Sequence, residues 1–178
     1  MATAPARLWL ASLALLSPGK CGDNRTPEYL ANSWGSYYNQ RDARWGNVYL
    51  GRTQNEVWEI GCLLTDVAMV NSHFGYPNVT PGVIAANPAN FTSGGLLYNF
   101  ALNVPGHPAM INNNPSRAWI NQVLANGGTV IVGMYIRTGG THFVTLVAQN
   151  GPYDYWINDP WEVNAMHVSY LSSPVTGP

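Results

Sequence analysis

The feature that most constrains this chain is a change of pattern at Cys62. The run Cys62-Leu63-Leu64-Thr65-Asp66-Val67-Ala68-Met69-Val70 is too densely apolar for a surface element, and Gly75 and Pro77 close it. Leu63, Leu64, Val67, Ala68, Met69 and Val70 predict a buried helix reaching about Phe74. The last third reads differently. Thr129 to Ile136 is a β-branched run that fits a buried strand, and Phe143 to Ala148 is a second. Tyr153 to Ile157 is a third, ended by Asp159-Pro160, and Val168 to Leu171 a fourth. A helix-rich first half and a strand-rich second half predict the α+β class, with a helix packed on an antiparallel sheet.

The remaining segments are less regular. Residues 34–60 carry Tyr37, Tyr38, Trp45, Tyr49 and Trp58 without periodicity, which predicts loops and short extended pieces. Residues 77–115 are rich in Asn, Pro and Gly, with a short helix expected after Pro81 and another from Leu96 to Leu102. Ser116 reads as a helix cap, followed by Trp119, Ile120, Val123 and Leu124 on one face and stopped by Gly127-Gly128. Near the start, Leu8 to Leu16 is an apolar run shorter than the roughly 20 residues of a membrane span. It has the length of a signal-peptide core with Arg7 as a thin basic flank, or else it is a helix packed on the domain. The organisation expected is therefore an export segment or packed helix over 1–20, a lead-in over 21–35, and the functional domain over 36–178, secreted or in the cell envelope, with no membrane span.

Composition narrows the function. A chain of 178 residues with 46% hydrophobic and 12% aromatic residues can bury a sizeable core. Charged residues are only 10% against about 25% in an average soluble protein, and the net charge is −1. Lys20 is the single lysine, so there is no basic face to neutralise phosphates, and no nucleic-acid partner is expected. The two cysteines, Cys21 and Cys62, fit no zinc pattern; they form one disulfide or leave a free thiol.

The strongest local signal for chemistry is Ile60-Gly61-Cys62-Leu63-Leu64-Thr65, where a cysteine opens a helix. Helix N-termini carry unpaired N–H groups and partial positive charge, which favour a thiolate, the nucleophilic form. A buried structural cysteine is the plainer alternative. A nucleophile needs a base. His73 lies about 16 Å along the same helix, too far away. His107 sits in a Pro/Gly loop and His167 precedes a late strand. His142 follows Gly139-Gly140-Thr141 and opens a strand, so it can reach a cleft while the strand holds it. Its orienting partner follows from hairpin register. A two-residue turn at Asn150-Gly151 would set Asp159 opposite His142, although Pro152 lacks the N–H that closes such a turn. A four-residue loop over 150–153 would set Trp161 opposite, with Asp159 diagonal on the same face. Odd-sized loops would bring Asn158 instead. Acyl transfer also needs an oxyanion donor beside the Cys62 N–H; Gln40 and Gln54 are the candidates.

Four segments in order then resemble a known family. They are Tyr38-Asn39-Gln40-Arg41-Asp42-Ala43-Arg44-Trp45, Ile60-Gly61-Cys62-Leu63-Leu64-Thr65-Asp66-Val67-Ala68-Met69, Gly140-Thr141-His142-Phe143-Val144, and Ile157-Asn158-Asp159-Pro160-Trp161. Together, over about residues 36–172, they resemble the bacterial cysteine peptidases of family thirty-nine, in the "like" branch of that papain-superfamily group. The resemblance implies a papain-like fold with Cys62 as nucleophile, His142 as base, Asp159 as orienting acid and Gln40 in the oxyanion hole, with Asp42 and Trp45 structural. Classical members cleave leader peptides after double glycine and place a Gln six residues before the cysteine. Here that position is Glu56, so leader processing is not expected. A catalytic Cys62 would also exclude a Cys21–Cys62 disulfide. The activity implied is hydrolysis of peptide or isopeptide amides in a peptide or protein substrate, without metal or organic cofactor. Two rivals are acyl transfer by the same triad and a non-catalytic binding module, since seven Trp and ten Tyr could build aromatic platforms.

Overall fold

The computed structural model describes residues 12–15, 34–135, 140–149, 154–161 and 166–168. In chain order the elements are β1 (Ser12–Leu15), α1 (Val57–Ile60), α2 (Cys62–His73), α3 (Pro81–Ala86), β2 (Met110–Asn112), α4 (Arg117–Ala125), β3 (Thr129–Tyr135), β4 (Thr141–Gln149), β5 (Tyr155–Asn158) and β6 (Met166–Val168). Single 3-10 turns lie at Pro88–Asn90 and Asn99–Leu102. The class is α+β. The strands form one antiparallel sheet in the order β2-β1-β3-β4-β5-β6.

The dense apolar run beginning at Cys62 does form a helix, and from Leu64 to Asn71 every residue of α2 is buried. A helix apolar on all sides has to be covered on all sides. One side of α2 lies on the sheet, against Ile131, Phe143 and Val147. The others are covered by α3 and by the aromatic segment that contains Trp34, Tyr38 and Trp45. The opposite face of the sheet carries α4, where Ile120 and Val123 pack on Val130, Val132, Val144 and Leu146. Alternation along the central parts of β3 and β4 thus sends Ile131, Phe143 and Val147 towards α2, and Val130, Val132, Val144 and Leu146 towards α4. Both faces are covered, which is why these strands read as continuous apolar runs. The expected arrangement, a helix packed on an antiparallel sheet, is joined here by a second helix on the other face. Ser116 caps α4 as expected, its Oγ accepting from the Trp119 N–H at 3.2 Å.

Several expectations are corrected. Ser12–Leu15, inside the run read as an export segment or packed helix, is a strand between β2 and β3, with Leu13 opposite both Ile111 and Ile131. Without it, the outer edge of β3 would leave a row of N–H and C=O groups unpaired. Met110–Asn112 is a strand within the Asn/Pro/Gly-rich stretch, too short to show a period in sequence. The helix expected over Leu96 to Leu102 is only a 3-10 turn, because Leu97 is drawn into a bridge with Phe91. The core also starts before residue 36: Trp34 is buried and stacks on His73 at 4.5 Å. Cys21 and the end of the strand expected over Val168 to Leu171 lie outside the described residues. No helix among the described residues is long and apolar enough to cross a membrane.

Candidate active site

The site begins where α1 meets α2. Glu56 and Glu59 cap α1 reciprocally, the Glu59 carboxylate accepting from the Glu56 N–H at 3.0 Å. Glu56 is therefore a helix cap in this fold. Gly61 is the hinge between the two helices, and its φ of −82° is open to any residue. What demands glycine is space: a Cβ there would collide with the Val57 carbonyl and stand 2.7 Å from Val57 Cγ1. The absence of that Cβ lets α2 begin immediately after α1, with Cys62 in its first turn. Cys62 carries a free thiol and is 9% exposed.

His142 is delivered by β4. Gly140 precedes it with φ +101°, a conformation side-chain-bearing residues rarely adopt. The hairpin to β5 settles the partner by an unexpected route. Gln149 pairs with Tyr155, so residues 150–154 form an odd-sized connection, which alone would favour Asn158. The register then shifts between Leu146 and Ala148, a bulge that adds one residue to β4, and Thr145 pairs with Asn158. Carried onward, this register sets His142 across from Trp161 with Asp159 diagonal. The two rings meet edge-on at 6.5 Å, and His142 Nε2 lies 2.8 Å from Asp159 Oδ1. Asn158 is buried within β5, and Asp159 makes the bond to the imidazole.

Asp159 is itself held from two sides. The Trp161 N–H donates to its Oδ1 at 2.9 Å, and the Tyr37 hydroxyl donates to its carbonyl at 2.7 Å. The neighbouring Gln40 N–H donates to the Pro160 carbonyl at 2.8 Å, and the Arg41 guanidinium lies 3.5 Å over the Trp161 ring. The first sequence segment thus clasps the last. Asp42 and Trp45 have the structural roles expected: Asp42 folds its own turn through Arg44, and Trp45 is buried with its indole N–H on the Asn39 carbonyl at 2.7 Å.

Since Nε2 faces Asp159, Nδ1 is the ring nitrogen left for the Cys62 thiol, which lines the same cleft. Burial disfavours the charged ring, but the hydrogen bonds to Asp159 and Cys62 and their negative charge outweigh it, and the His142 pKa is pushed up to about 10. The other histidines whose side chains are described lie elsewhere. His73 stacks on Trp34, where burial lowers its pKa, and His107 stacks on Phe74 at 4.1 Å.

Gln40 is buried and borders the same cleft, whereas Gln54 is exposed and does not. The Gln40 amide nitrogen donates to the Trp58 carbonyl at 2.9 Å and to the Val57 carbonyl at 3.4 Å. Those carbonyls fix the amide's orientation, since the reverse would set oxygen against oxygen. Gln40 Oε1 is left buried without a partner. The cleft is about 800 Å³ and has Cys62, His142 and Asp159 on its wall beside Leu50, Phe91, Leu96 and Trp161.

Compared with known proteins, the chain matches no family model, no curated protein and no solved structure.

Sequence reasoning missed three participants. Tyr37 and Arg41 act through tertiary contacts that no local pattern announces. Asp66 lies within the quoted helix segment, and an acid in an otherwise apolar run was the available signal. Among the described residues, no group of three or more His, Cys, Asp or Glu could hold a metal ion.

Proposed function

We propose that this protein is a papain-like cysteine hydrolase of the family-thirty-nine "like" kind, acting on peptide or isopeptide amides. One observation carries the reading: the hydrogen-bonded His142–Asp159 pair and the Cys62 thiol share the wall of one open cleft. A thiol at a helix start, an imidazole on the same cleft wall and a carboxylate on one of its ring nitrogens are what thiolate catalysis needs.

In the first half-reaction, Cys62 Sγ bonds to the carbonyl carbon as the thiolate, and the carbonyl π pair moves onto oxygen. The Cys62 N–H donates to that oxygen, and the Gln40 amide N–H held only by the long 3.4 Å bond to the Val57 carbonyl turns to it as the second donor. His142, as imidazolium, gives its proton to the leaving nitrogen as the C–N bond breaks, leaving a thioester. Water then attacks the thioester, His142 takes its proton, and the acid departs as Cys62 is regenerated. Asp159 holds the ring throughout and stabilises its positive charge. Replacing water by an amine at the second step would give acyl transfer with the same groups.

The test is iodoacetamide alkylation of the purified protein across pH, with the labelled cysteine mapped by mass. The reading expects rapid labelling of Cys62 well below pH 8, slowed at least about tenfold in His142→Ala. It also expects Cys62→Ala to be folded and inactive on any amide the wild type cleaves. Labelling of Cys62 only near pH 8.5, indifferent to His142, would overturn it in favour of a non-catalytic binding module.

A further inference from the structure

Beneath the reacting groups lies a buried acid that the mechanism above does not use. Asp66 is one helical turn after Cys62, so both stand on the same side of α2. The Thr145 hydroxyl donates to Asp66 Oδ1 at 2.7 Å, and both residues are fully buried. Thr145 is three residues beyond His142 on β4, locked between Ile131 on β3 and Asn158 on β5. This bond therefore joins the start of the helix that carries the thiol to the strand that carries the imidazole. Around it the contacts between α2 and the sheet are apolar and set no register of their own.

We propose that Asp66 is a positioning residue for the Cys62–His142 pair: through Thr145 it pins the first turns of α2 to β4 and so fixes where the thiol meets the imidazole. The proposal rests on the catalytic reading of Cys62 given above. Burial pushes the Asp66 carboxyl well above the usual range; the Thr145 bond and the His142 charge act against that shift, and Asp159 adds to it. These are the groups Asp66 faces from β4 and from the end of β5. Asp66 serves as an acceptor for Thr145 through Oδ1, while the counter-ion bonded to His142 is Asp159. Its Oδ2 is buried without a partner, which costs stability.

The experiment is the pH profile of Cys62 alkylation in the full chain, for wild type, Asp66→Asn, Asp66→Ala, Thr145→Ser and Thr145→Val. Asn keeps an oxygen that can accept from Thr145 and Ser keeps the hydroxyl, so both are expected within about threefold of wild type at every pH. Asp66→Ala and Thr145→Val are expected to slow alkylation at neutral pH by roughly tenfold and to move the profile towards that of His142→Ala. The double variant should be no slower than either single one, since both remove one shared bond. A folded Thr145→Val protein with the wild-type profile would overturn the proposal, as would Asp66→Asn behaving like Asp66→Ala. Thr145→Val removes a hydroxyl at nearly constant shape, so it decides the matter even where Asp66→Ala does not fold. A wild-type profile indifferent to His142→Ala would instead overturn the catalytic reading, a separate result.

Discussion

The two walls of the cleft are built on opposite plans. The wall formed by Tyr37 to Trp45, the start of α2 and Asp159 to Trp161 is a mesh of directional contacts, from the Tyr37 hydroxyl and the Gln40 N–H to the His142–Asp159 pair. The wall that includes Phe91 to Leu97, and the turn beyond it, holds no such mesh. It is shaped by backbone turns, with the Thr92 N–H on the Leu96 carbonyl at 2.8 Å and the Tyr98 N–H on the Asn90 carbonyl at 2.9 Å. It leaves Leu96 71% and Phe100 57% exposed, and no Asp, Glu, Lys or Arg occurs from Val67 to Ser116. Directional bonds fix distances; apolar surface attracts without fixing them. On the reading proposed above, the first wall governs whether a bond is attacked, and the second governs which acyl groups stay beside it.

The largest effect should come from breaking the first wall at its charge. Asp159→Ala is expected to cut amide cleavage by about a hundredfold or more, the usual scale for disabling an acid–base group. It should also change the pH response. The folded His142 pKa of about 10 lies above its unfolded value of about 6.5, so the folded state holds the proton more tightly. The stability this gives is fully present below about pH 6.5 and is lost as pH rises through about 10. Urea midpoints at pH 6.5 and pH 10 should thus fall apart in wild type and draw together in Asp159→Ala. An unchanged pH difference in the variant would mean that another group holds the His142 proton.

The next effect is steric. Gly61→Ala puts a Cβ against the Val57 carbonyl and Cγ1, so α1 and α2 must part. The expected loss is about 1–3 kcal/mol of stability by urea denaturation, with slower alkylation of Cys62. A neutral Gly61→Ala would mean that the helix junction tolerates movement and that the first wall is less rigid than its contacts suggest.

These same residues mark what could be read from the sequence. Cys62 and the helix it opens were legible because a continuous apolar run needs burial on all sides, and His142 because a strand follows it. The choice of Asp159 over Asn158 was not fixed locally. It depends on an odd connection at residues 150–154 cancelled by a bulge at Val147, and neither leaves a residue-type signature. Gln40 was legible as a candidate, but its amide is oriented by the Trp58 and Val57 carbonyls, a contact made only in the folded chain. Ser12–Leu15 was illegible for a related reason: an apolar run of that length fits a helix or a strand equally, and it is the edge of β3 that draws it into a strand.

The smallest effect should come from the second wall, and its smallness is the point. Leu96 borders the cleft yet is mostly in solvent, so Leu96→Ser removes little buried area from the folded protein. Its stability should change by no more than about 0.5 kcal/mol, as for other surface positions. If the wall holds the acyl group by apolar contact, losing part of a leucine side chain should raise KM a few-fold, the worth of about 1 kcal/mol. The value of kcat should stay nearly constant, because binding lost equally from substrate and transition state leaves the chemical step alone. A fall in kcat with KM unchanged would place Leu96 among the groups that shape the transition state. The two walls would then share the task that their construction divides between them.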